Sequence, residues 1–221
     1  MSETHLRGAD RAFERFAGTC ALIVGVGGVA YAITFFVVLR GDAGRGVATA
    51  NALFLMLGGL LSTIVLVAVY GRVRDTDPSF AMWALLLGVL GAGGAMIHGG
   101  FDLALAVDPP APGRPGLPAN PVDPRGLLTF GATAVATFTL AWLIVRGGAL
   151  PRRLGYLGYV SAALLLVLYL GRLIIVRPKS PLLLVAAVLS GFVVNPAWYA
   201  WLGVELRRGG RRSAPLSTLM S

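Results

Sequence analysis

Charge is scarce in this chain. Only 13% of its 221 residues are Asp, Glu, Lys or Arg, against roughly 25% for a soluble domain. A water-exposed globule of this length is therefore excluded. Cysteine is nearly absent too: Cys20 stands alone, so no internal disulfide can form. Residues 1–15 ahead of it are charged rather than apolar, which argues against a lipoprotein attachment site and leaves Cys20 as a small apolar packing residue. There are two histidines, and His5 lies in the N-terminal tail, so one chain cannot supply a bis-histidine haem site. HExxH, CxxC, G-x-S-x-G and the P-loop are all missing. His98 with Asp102, Asp108 or Asp123 would make at best a weak metal site. Neither a metal nor a cofactor is expected.

Apolar sequence fills the space. Hydrophobic residues make up 56% of the chain and the mean hydropathy is +0.76. A helix needs ~20 apolar residues to cross the hydrocarbon core. Six runs qualify, at 16–39, 47–70, 80–107, 126–145, 154–176 and 182–204. Little remains outside them, which predicts an all-α polytopic membrane protein: one integral domain of six transmembrane helices with a short basic tail at 205–221. Ala30-Tyr31-Ala32 mimics a signal-peptidase site, but the apolar run continues to Leu39. That length favours an uncleaved first helix.

The net charge of +9 would elsewhere suggest nucleic acid. Here the basic residues sit in short connections and in the tail, where they set topology, and no nucleic-acid partner is expected. The N-terminus, second loop, fourth loop and tail together hold twelve; the other three loops hold six. The positive-inside rule places the twelve, and both termini, in the cytoplasm. Trp83, Trp142, Trp198 and Trp201 then fall towards the cytoplasmic ends, at the headgroup level that such rings favour. The outer loop 108–125 carries seven of the thirteen prolines. It reads as an extended, semi-rigid cap.

Ionisable side chains inside a span are functional candidates, because a bilayer tolerates them only where protein or water surrounds them. The third run, 80–107, contains both His98 and Asp102. At ~100° per residue, Ala84, Gly88, Gly91, Ala95, His98 and Asp102 share one stripe, which small residues mark as a packing face. His98 and Asp102 are four apart and can meet. The fifth span aligns Gly158, Ser161, Ala162, Leu165, Tyr169 and Arg172, the second Asn51, Gly58 and Ser62, and the fourth Thr129, Thr133 and Thr137. Asn51, His98, Asp102 and Arg172 all fall in the outer half, roughly 8–14 Å from their span centres at 1.5 Å per residue. An unpaired charge there costs ~2.5 kcal/mol or more. The expectation is an Asp102–Arg172 pair with His98, Asn51 and Tyr169 beside it. In the sixth span, Asn195-Pro196 predicts a kink, with Asn195 placed to satisfy the freed Phe192 carbonyl.

Three segments, HGGFDLALAVDPP at 98–110, LPRRLGYLGYVSAALLL at 150–166 and NPAWYAWLG at 195–203, together resemble a family of small bacterial multi-spanning proteins known only as a domain of unknown function. The resemblance covers spans three to six. It implies a bacterial inner-membrane location and carries no activity or catalytic residue with it.

Three uses of the cluster stay open. It could be a structural clamp, or a site for a lipid or apolar small molecule in a non-enzymatic protein. It could also do chemistry, either as a membrane-embedded enzyme with His98 as acid/base oriented by Asp102 or as a proton-coupled transporter. Membrane lipids are the one partner class expected. No protein partner is legible.

Overall fold

The computed structural model describes residues 3–109, 125–175 and 180–209, with side chains from residue 11 onward. Six helices follow in order. They are α1 (Glu3–Arg40), α2 (Arg45–Val73), α3 (Pro78–Val107), α4 (Leu127–Gly147), α5 (Arg152–Ile175) and α6 (Pro181–Arg208). All six are long and apolar enough to cross a membrane.

Local chemistry sets the ends. Asp77 caps α3 by accepting a hydrogen bond from the Phe80 backbone N–H at 3.1 Å, and Pro78 opens the helix where its missing donor costs nothing. Gly148, at φ +68°, ends α4 in the left-handed conformation that glycine adopts without strain. Each helix agrees with its expected run to within a few residues, except at two ends. α1 starts well before residue 16, and α6 continues through Arg208 into what reads as tail. Residues 110–124 of the cap expected at 108–125 and the tail beyond 209 lie outside the described residues.

The helices form a ring in chain order. Each packs on its neighbours in sequence, and α6 returns to close against α1. Small residues make the close crossings. A Cβ on Gly18 would lie 2.7 Å from the Gly203 carbonyl oxygen, and one on Gly203 the same distance from that of Gly18. A Cβ on Gly99 of α3 would lie 2.6 Å from the Ala52 carbonyl of α2. The outward face of the ring is apolar, with Val26 74% and Ile174 77% exposed.

The two ends of the ring differ. At the end bearing the termini, Val65, Val69, Leu140, Ile144, Leu154, Leu202 and Leu206 fill the middle as a dry core. Trp198 belongs to this core at 4% exposure. The interfacial position expected for it is thus corrected: Gly158 leaves room for the indole inside the ring, with the Nε1 atom 3.1 Å from where a Cβ would sit. Arg72 ties α2 to α1 at this end through a two-pronged bond to Glu14, with Nε 2.6 Å from Oε1 and Nη2 2.7 Å from Oε2.

Two helices widen locally. Leu127–Ala132 in α4 and Leu189–Val194 in α6 are π-helical turns. The second ends where Asn195-Pro196 begins, so the proline's missing donor is met by a change of helical winding. Asn195 does not turn to the Phe192 carbonyl as expected. Its Oδ1 accepts from the Ser161 hydroxyl of α5, and its Nδ2 donates to Ser190 Oγ at 3.0 Å. The side chain therefore links α5 to α6.

Candidate functional site

Away from the termini the ring is open inside. All six helices line a cavity of about 320 Å³, within the range of small-ligand sites. Its wall is apolar over most of its extent, from Phe35, Phe36 and Leu39 of α1 to Leu165 and Leu168 of α5 and Leu183, Leu184 and Ala187 of α6. Against that lining stand Tyr31, Asn51, His98, Asp102 and Arg172, with Ser190 and Asn195 of α6. Four of the five residues singled out from the sequence thus share one cavity. The fifth, Tyr169, does not line it: its ring lies 3.3 Å from where a Gly131 Cβ would be, packed on the π turn of α4.

The α3 stripe explains the arrangement. Gly88, Gly91, Ala95, His98 and Asp102 all border the ring's interior space, so the face that carries small residues also turns its two ionisable groups inward. Gly94 and Gly99 lie to either side of it. They allow close approach to Leu128 and Thr129 of α4 and to Ala52 and Met56 of α2.

The expected Asp102–Arg172 pair is not formed. Asp102 Oδ1 is 3.2 Å from Nη1 of Arg125, and Oδ2 is 3.7 Å from Nε2 of His98. Arg125 stands just ahead of α4, beside α3 in the ring. Its guanidinium also donates to the His98 carbonyl at 3.4 Å and lies 4.5 Å from the centre of the Phe101 ring. These contacts hold the cation over α3 beside Asp102. Arg172 approaches the same cavity from α5 and makes no ion pair or hydrogen bond among the described residues. Sequence reasoning placed Arg125 in a loop. The available signal was its position at the start of an apolar span, at the depth of Asp102.

Tyr31 was also missed. It lines the same cavity as Asp102 and Arg172, and its hydroxyl makes no hydrogen bond among the described residues. Asn51 is 7% exposed, with its Oδ1 3.0 Å from Thr34 Oγ1. A second cavity of about 210 Å³ continues towards the termini, bordered by Thr129, Thr133, Thr137, Ser161 and the Ser62–Tyr199 pair, whose oxygens are 3.2 Å apart. Tyr31, Phe130, Leu165 and Asn195 border both cavities. Among the described residues no group of three or more His, Cys, Asp or Glu lies close enough together to hold a metal ion.

No family model, curated protein or solved structure matches the chain. Its function is therefore argued from the cavity alone.

Proposed function

We propose that the protein is a multi-pass protein of the bacterial cytoplasmic membrane, with both termini in the cytoplasm, and that its ring of helices holds a lipid or apolar small molecule. The cavity of about 320 Å³ carries this reading, because its lining is mostly apolar, with Asn51, His98, Asp102 and Arg172 from α2, α3 and α5 and further polar groups from Tyr31 of α1 and Ser190 and Asn195 of α6. That composition suits a mostly apolar molecule with a polar group. Under the arginine-based topology the cavity belongs to the outer leaflet. α1 packs mainly on the later part of α6 and little on Pro181–Val188.

Native mass spectrometry of the detergent-solubilised protein tests the reading. The wild type should retain an apolar adduct. Ala187→Trp, which fills the lining, should lose it while keeping its helical circular dichroism. A folded wild type without any adduct, or equal retention by the variant, would overturn the proposal.

A second reading is a membrane-embedded enzyme with His98 as acid/base. The 3.7 Å approach of His98 Nε2 to Asp102 Oδ2 favours it, since a carboxylate at that position orients the imidazole. In that case His98→Asn would abolish turnover of the retained compound and leave its binding intact.

A further inference from the structure

We infer that the cavity selects an amphiphile with an anionic headgroup, a carboxylate or a phosphate, and that Arg172 is the group that reads it. The inference rests on the binding reading above and adds the ligand's charge.

The carboxylate of the cavity is already paired. Among the described residues Asp102 is the one carboxylate lining it, and Arg125 holds it at 3.2 Å. Arg125 is also held by Phe101 and the His98 carbonyl, so Asp102 already has a basic partner other than Arg172. Arg172 is a further fixed cation at the same cavity. It lines the cavity and has no ion pair among the described residues. A lone guanidinium within the hydrocarbon region costs at least ~2.5 kcal/mol, and an anion delivered by a ligand removes that cost. A guanidinium suits a carboxylate or phosphate because its N–H groups form a planar fork that donates two parallel bonds. The Tyr31 hydroxyl supplies another donor at the same cavity. The remainder of the ligand meets Leu168, Leu183, Leu184 and Ala187, which offer nothing to a polar group and burial to an acyl chain. The wall thus matches a chain and the cation matches its head.

Binding of matched single-chain probes separates the terms. Oleate, 1-oleoyl-lysophosphatidate and oleyl alcohol share one chain and differ in the headgroup. Affinities are measured by titration against the purified full-length protein in a zwitterionic detergent, with Arg172→Gln and Arg172→Lys as variants. At least one anionic probe should bind the wild type about tenfold or more tightly than oleyl alcohol, as a charged hydrogen bond implies. Whichever of the two binds better identifies the headgroup as carboxylate or phosphate. Arg172→Gln should erase the preference, lowering the affinity for the anionic probes far more than that for oleyl alcohol, and Arg172→Lys should restore part of it. Equal binding of all three probes to the wild type would overturn the anionic selection and leave the binding reading standing. So would a preference that survives in a folded Arg172→Gln. Failure of every probe, oleyl alcohol included, would overturn both. Should Arg172→Gln not fold, the Arg172→Lys variant and the three wild-type affinities decide the matter.

Discussion

Asp102 of α3 and Arg125, at the threshold of α4, are joined by a 3.2 Å contact between Oδ1 and Nη1. This pair bridges two adjacent helices at the edge of the cavity and settles which of the two nearby arginines neutralises the carboxylate. The side chains are 33% and 21% exposed, between the surface pairs worth ~0–1 kcal/mol and the buried pairs whose breaking costs ~3–5 kcal/mol.

Removing one partner of that pair should therefore cost about 1–3 kcal/mol. Asp102→Asn and Arg125→Gln should each lower the unfolding midpoint in detergent, and the double variant should lose less than their sum. Additive losses in that double-mutant cycle would mean that the two side chains do not interact.

The closure of α6 on α1 leaves no room for a side chain at Gly18 or Gly203. Either Gly→Val change should destabilise the protein by about 1–3 kcal/mol or more, as overpacking does. Gly27→Val is the control, because a Cβ there meets nothing within 4 Å. Thermal melts of the three variants check the prediction, and a Gly18→Val protein as stable as Gly27→Val would refute the contact.

Arg72 grips Glu14 with two nitrogens at 2.6 and 2.7 Å. A lysine is a point charge and cannot reproduce that fork. Arg72→Lys should thus lose most of what Arg72→Gln loses, about 1–2 kcal/mol given that each side chain is 22% exposed. Denaturation in detergent measures it, and full retention of stability by Arg72→Lys would show that charge alone suffices.

Ser161 is 2% exposed and bonded to Asn195 across α5 and α6. Interhelical hydrogen bonds in membrane proteins average ~0.6 kcal/mol with a maximum near ~1.7. Ser161→Ala should cost on that order, and Asn195→Leu should cost more because it also strands Ser190. Unfolding free energies that rank the two variants the other way would assign the linkage elsewhere.

Much of this arrangement was legible beforehand, for a physical reason. Hydrocarbon imposes a length and an apolar composition on any crossing helix, so the six helices long and apolar enough to cross could be read to within a few residues at most ends. The α3 stripe was legible too, because helical periodicity puts Gly88, Gly91, Ala95, His98 and Asp102 on one face whatever the neighbours are. Partner choice was not. Arg125 and Arg172 are equivalent in charge, and only the packing of α4 beside α3 brings the first within reach of Asp102. Trp198 was misplaced for a similar reason: position along a span gives depth, whereas burial depends on which neighbour carries a Gly158. Tyr31 went unnoticed because a single tyrosine in an apolar helix is an ordinary packing residue until a cavity is seen beside it.

The reciprocal fit of Gly18 with Gly203 has a bearing on biogenesis. A nascent chain emerges from its N-terminus, so the glycine face of the first helix must wait for the last one before it finds its match. If the six helices cross a membrane as proposed, five of them would leave a lengthwise seam open to acyl chains. A ligand of the proposed kind would then have a sideways route to the interior until the last helix arrives.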